Sequence, residues 1–312
     1  KKIPLILIAS CALTLSSCED WLDKYPLSKM SPETFFSNEN ELQAFSNTFY
    51  TIFPGDGLYN EGYDNIVKNE IAAEMRDGRT IPASGSGWTW TDLRKFNTLL
   101  EYSGNCKDTD VRNRYDAVAR FFRAYFYFEK VKRFGDVPWD DKELGSADPE
   151  LYKARDSREL VLTNMIKDID DAVNSGGLSE KATPYRVNKW TALALKARFC
   201  LYEGTYRKYH GINLEGHDYK YYLDLAAETA KQIMDESPYK LFKTGNPATD
   251  YVTLFTKEDA DEGEYMLAIK NDAGLQIFHN ATGYAVMVTQ GRPGLTRKLV
   301  NAYLMKDGKK FT

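Results

Sequence analysis

Cysteine and histidine are scarce in this chain. Its 312 residues include 4 Cys and 3 His, and no CxxC pair occurs, so zinc-ribbon and redox motifs have no support. His210 and His217 stand apart across "GINLEG", a spacing unlike that of helical metal ligands. The motifs G-x-S-x-G, G-x-x-x-x-G-K-[ST] and H-E-x-x-H are missing, and no EF-hand spacing is present. No catalytic residue, metal ligand or cofactor is therefore expected, and the reading is a non-enzyme. With 45 acidic residues some carboxylates must be neighbours, so a glycosidase pair stays open, but no pair stands out.

Positive charge is not in excess either. The formal net charge is −4, which gives no attraction to nucleic acid or to anionic lipid. Beyond the N-terminus no stretch approaches the ~20 apolar residues of a membrane-spanning helix. Aromatics, by contrast, are plentiful: 21 Tyr and 5 Trp are enough to serve wet binding faces as well as cores.

The N-terminus has the layout of an export leader. Lys1 and Lys2 form a basic start, and Ile3 to Leu15 form an apolar stretch too short to span a bilayer. Leu15-Ser16-Ser17-Cys18 resembles the bacterial lipobox, which implies cleavage before Cys18 and its fatty acylation (palmitate on the residue). Such chains hold a soluble protein to a membrane. The expected divisions are a signal peptide over 1–17, a lipid-anchored tether over 18–30 and a helical domain over 31–312. Of the remaining cysteines, Cys106 lies in a polar stretch and Cys200 in an apolar helical pattern. A bridge between them stays open.

Helical signals dominate the rest. Ser31 is expected as an N-cap with Pro32 at the first helical position, starting a helix that runs to about residue 53. Further helices are expected near 64–76, 91–102, 111–134, 157–174, 189–206, 219–235 and 295–305. Arg120, Arg123, Tyr127, Lys130 and Arg133 share one stripe of the helix at 111–134. Gly135 and Pro138 stop it. "EYMLAIK", residues 264–270, is the best strand candidate, and 271–294 reads as loop. Trp190, Leu193, Ala194 and Ala197, followed by Ala226, Ala230 and Pro238, sit at tetratricopeptide spacings with a lengthened connector. The expected fold is mainly α: a degenerate tetratricopeptide-like helical repeat scaffold with a loop-rich ligand face. An ordinary helical bundle would share these spacings.

Four segments together resemble the SusD/RagB family of outer-membrane nutrient-binding lipoproteins. They are the lipobox with "CEDWLDKYPLSKMSPETFFSNENELQAFSNTFY", then "ARFFRAYFYFEKVKRFGDVPW", then "VNKWTALALKARFCLYEGTY" with "AAETAKQIMDESPYKLF", and "PGLTRKLVNAYLMKDGK". The resemblance implies a surface-exposed outer-membrane lipoprotein that captures oligosaccharide or polysaccharide and delivers it to a SusC-like TonB-dependent transporter. It also implies further polypeptide beyond Thr312. The alternatives are a peptide-binding or protein-binding surface scaffold and, less favoured, a surface glycosidase.

Sugar binding needs aromatic faces flanked by polar side chains. Trp88 and Trp90 flank a single residue just before a helix start, and in extended chain they would point to one side and form one curved platform. Asp77, Arg79 and Asn97 are the nearby hydrogen-bonding candidates. Starch-binding members of the family have a similar Trp-x-Trp pair with an Asn three residues on; Leu93 stands there in this chain. Tyr284, Tyr59 and Tyr63 are further ligand candidates. Trp139 is expected to pack at a helix turn, and Trp190 in the repeat core.

Overall fold

Asn38 opens helix α1 (Glu39–Asn47): its side chain accepts the Glu41 N–H at 3.2 Å. The Glu41 carboxylate reaches back to the N–H of Ser37 at 2.8 Å, which satisfies a second free donor. This reciprocal pair sets the start later than expected. Pro32 and Thr34 lie in turns, and Thr48–Ile52 tightens into a 3-10 helix. The structure is a computed structural model, and it describes residues 32, 34–53, 65–67, 87–279, 281–290 and 294–310, without the side chains of 284, 285 and 290. Ser31 and Cys18 lie outside the described residues.

Helix α2 (Thr91–Tyr102) buries Leu93, Phe96 and Leu99, apolar positions three apart on one face. Helix α3 (Thr109–Phe134) starts at Asp108, whose carboxylate accepts the N–H groups of Asp110 and Val111. It ends at Gly135, where φ is 72°, a left-handed conformation suited to glycine. Most of its circumference is buried, as the near-continuous apolar run predicts. An edge-to-face aromatic chain joins it to its neighbours: Phe49 meets Phe96 at 4.9 Å and Phe122 at 5.7 Å. Each buried Phe contributes about 1.5–3 kcal/mol through its burial.

Helix α4 (Arg158–Asn174), capped by Ser157, packs along α3. Helices α5 (Lys189–His210) and α6 (Tyr219–Glu236) form the most extensive helix pair among the described residues. Trp190, Leu193 and Ile233 share one buried cluster, which sets two of the α5 repeat positions against α6. Trp190 also donates its indole N–H to the Glu180 carbonyl at 2.7 Å. At Gly204 α5 lies close against α6: a Cβ there would lie 2.7 Å from Leu223 and 3.0 Å from the Tyr219 carbonyl. Between α4, α5 and α6 sits a buried ion cluster. Glu203 accepts from Arg158 at 2.7 Å and from Arg207 at 2.6 Å, and Arg207 reaches Glu159 at 2.8 Å.

Several expectations at the two ends need correction. "EYMLAIK" forms no strand, because its backbone bonds go singly to different partners, such as Ala268 N–H to the Pro184 carbonyl. Of the expected helix at 64–76, residues 66–67 instead form strand β1 (Ile66–Val67), paired antiparallel with β2 (Gly294–Leu295); the rest of that segment lies outside the described residues. Helix α7 (Pro247–Phe255) is an addition, started by proline at its first turn. The loop expected at 271–294 contains helix α8 (Ala281–Val286). The expected helix at 295–305 shrinks to α9 (Arg297–Ala302), because Leu295 joins the strand pair and Thr296 caps. The chain is mainly α. Cys106 and Cys200 are separate buried thiols, so the bridge left open by the sequence is not formed.

Candidate functional site

The segment that matters most for function follows α3. Residues 137–156 leave the helix at Gly135 and return to it, closed by an antiparallel bridge between Val137 and Asp156. Sequence reading treats this stretch only as a connector. In the structure it forms one wall of a cavity of about 480 Å³, whose opposite wall is Trp88, Trp90 and the first turns of α2.

The floor of this cavity is rigid for reasons that lie in the helices. Arg123, 5% exposed on α3, donates from Nε and Nη2 to both Asp168 oxygens at 2.7 and 2.6 Å. Its Nη1 donates to Asn97 Oδ1 at 3.1 Å and to the Asp141 carbonyl at 3.2 Å. Asn97 in turn donates to the carbonyls of Asp140 and Lys142 at 3.0 and 2.9 Å. The Tyr127 hydroxyl accepts the Asp140 N–H at 2.7 Å, and burial pushes that phenol well above its ordinary range. Trp139 stacks on Tyr127 with ring centres 4.3 Å apart, which is the helix-turn packing expected of it.

The two expected tryptophans do line one cavity, in unequal roles. Trp88 is 38% exposed. It meets Trp90 at 5.1 Å and Phe134 at 4.9 Å, both edge to face. Trp90 is half-buried and leans on Phe126 at 5.5 Å. With 81° between their planes, the indoles do not form the single curved platform expected. Core packing decides this, because Trp90 turns in toward α3 while Trp88 stays at the rim. Asn97 is 1% exposed and is occupied by the connector. Leu93, also at the wall, is 3% exposed.

Charged side chains complete the wall. Lys153 ion-pairs with Asp140 at 3.0 Å and Asp156 at 3.4 Å. Burial works to lower this ammonium, but the two carboxylates outweigh it and hold it above the ordinary lysine range. Arg155 lies 4.8 Å from the Trp88 ring centre, a cation over an aromatic face. Arg94 bonds the Leu144 carbonyl at 2.6 Å. None of Arg94, Asp140, Lys153 or Arg155 was singled out from sequence. The available signal was the density of charge in "WDDKELGSADPELYKARDS", which does not by itself say where the loop folds back.

Asp77, Arg79, Tyr59 and Tyr63 lie outside the described residues. Tyr284 falls within α8, and its side chain is likewise undescribed. Two other clefts are prominent. One of about 520 Å³, near Glu39, Arg114, Gly177 and Arg186, is of mixed polarity, and Arg114 there pairs with Glu39. One of about 710 Å³ is lined by Tyr50, Phe53, Tyr185, Ile269 and Ile277. Neither combines a tryptophan with polar groups among the described residues. Among those residues, no His, Cys, Asp and Glu group suits a metal ion, and no helix is long and apolar enough to cross a membrane.

An exposed indole beside convergent donors and acceptors is suited to a flat, hydroxylated ligand. Comparison with known proteins agrees in kind. A SusD-like protein of Bacteroides ovatus is 24% identical over 289 residues, covering 86% of this chain and 50% of the relative. The SusD-like protein P25 of Formosa agariphila is 23% identical over 226 residues, covering 64% of this chain and 42% of the relative. This chain thus spans half or less of the length of these two relatives. In fold it is similar to the crystal structure of a SusD-like protein from Bacteroides fragilis, with a TM-score of 0.63 and 22% identity, covering 93% of this chain and 57% of that one. A family model matches residues 20–201, more than half of the chain, and by that match the protein belongs to the SusD-like family, described as starch-binding and associating with the outer membrane.

Proposed function

We propose that this chain is a non-catalytic binding lipoprotein, anchored through Cys18 at the outer-membrane surface. It captures oligosaccharide or polysaccharide at the Trp88–Trp90 cavity and passes it to a SusC-like TonB-dependent transporter. The observation that carries this reading is the exposed Trp88 over a polar-rimmed cavity of about 480 Å³ whose floor is tied to three helices. Family membership supports the ligand class and the outer-membrane association. A tethered binder raises the local concentration of its cargo at a pore entrance, and modest affinity leaves release possible.

The test is titration of the delipidated full chain against a panel of glycans, read by tryptophan fluorescence, with Trp88→Ala in parallel. Saturable quenching that disappears in the variant is the expected result. A flat response to the whole panel counts against glycan capture and in favour of a peptide ligand. Cys18→Ala is expected to release the protein from the membrane fraction; a variant that stays membrane-bound contradicts the anchor.

A further inference from the structure

We infer that the sugar taken at the Trp88 cavity is acidic, bearing a carboxylate or sulfate that Arg155 receives. This rests on the cavity being a glycan site. The chain as a whole is acidic, with a net charge of −4, yet cations gather at this place. Arg94, Lys142, Lys153 and Arg155 line the cavity against Asp140 and Glu150.

The distribution of partners shows which cation is available. Arg94 pairs with Glu143 at 3.3 Å, Lys153 with Asp140 at 3.0 Å, and the exposed Lys142 with Asp148 at 3.7 Å. Arg155 has no carboxylate partner among the described residues. Only its Nη1 is used, donating to the carbonyls of Phe134 and Asp136 at 3.4 and 3.3 Å. Its Nε and Nη2 have no hydrogen-bond partner among the described residues. Lys130, 5.8 Å from the Trp90 ring centre, donates to the Gly87 carbonyl at 2.5 Å and is 9% exposed. Asp92, whose charge acts on Lys130, is paired with Lys95 at 2.8 Å. Arg133 lies close to Gly87 and also has no carboxylate partner among the described residues. Arg155 is thus the cation at the Trp88 ring, 4.8 Å from its centre, with no carboxylate beside it among the described residues.

A neutral sugar needs an aromatic face and hydroxyl partners, and nothing in that chemistry calls for an unpaired guanidinium. An acidic sugar does. A ring lying against Trp88 brings its exocyclic acid group to the guanidinium that shares the indole, and the two free donors of Arg155 form the fork that takes two oxygens at once. The site is partly open, so salt must weaken this contact, whereas stacking is insensitive to it.

The experiment compares matched pairs on the delipidated full chain: oligogalacturonate with its methyl ester, and dextran sulfate with dextran. Arg155→Gln, Arg155→Lys and Trp88→Ala are titrated alongside. At least one acidic member is expected to bind about tenfold or more tighter than its neutral partner, and which pair shows the gap tells carboxylate from sulfate. Arg155→Gln and added salt are expected to close the gap, with Arg155→Lys keeping part of it. Equal binding of both members, or a gap untouched by Arg155→Gln in a variant of unchanged melting temperature, overturns the inference and leaves glycan capture standing. Binding of no glycan overturns both.

Discussion

Arg123 and Asn97 are joined by a 3.1 Å hydrogen bond between α3 and α2, and both are buried. Through this contact the helices dictate the shape of the loop opposite Trp88. Arg123 is fixed by Asp168 on α4, and Asn97 holds the carbonyls of Asp140 and Lys142. Arg123→Ala is therefore expected to cost about 3 kcal/mol of stability in urea unfolding, because it leaves a buried carboxylate with only Arg120 at 3.2 Å. Unchanged stability with lost ligand binding would move Arg123 from frame to site.

The two tryptophans are expected to separate under mutation. Trp88 stands at the rim, so Trp88→Ala loses about tenfold or more in glycan affinity, or roughly 1.4 kcal/mol, with little change in unfolding. Trp90 packs on Phe126 and Tyr127, so Trp90→Ala lowers stability as well as binding. Equal effects of the two on stability would contradict the division of roles.

Glu159 makes folding sensitive to acid. Burial works to raise its carboxyl, but hydrogen bonds from His217, Tyr222 and Arg207 outweigh burial and hold it below its ordinary 4.5. A group whose folded value is depressed stabilises the fold above the unfolded value and loses that contribution as pH falls through the folded one. The urea midpoint is thus expected to hold through neutral pH and to drop below about 4.5. In Glu159→Gln this acid limb becomes shallower, at the cost of lower stability at pH 7. An acid limb of unchanged slope in the variant would show that other carboxylates dominate.

Both described thiols are expected to be silent in the native state. Cys106 is 2% exposed and Cys200 fully covered. Burial pushes the Cys200 thiol up to about 12, and a protonated, covered thiol is a poor nucleophile. A thiol-reactive dye should label neither residue in native protein and both after denaturation. Fast native labelling of Cys200 would mean that α5 opens far more readily than its packing implies.

The sequence by itself determined the helices from α2 to α6. Their caps at Asp108, Ser157 and Asn188 and their apolar stripes are local features, and local chemistry is sufficient for them. It also pointed to Trp88 and Trp90, because two indoles around one residue before a helix start are visible without coordinates. Only the tertiary structure decided how they are used. The 81° between the rings, the commitment of Asn97 to the connector and the arrival of Arg155 at Trp88 all depend on where residues 137–156 fold back. That fold-back depends on Arg123 and Tyr127 of α3 and on Asn97 of α2, which lies 43 and 45 positions from the carbonyls it holds. The misassigned strand at 264–270 has the same origin: a short apolar run makes a strand only when an edge is there to pair with, and its backbone found single bonds instead.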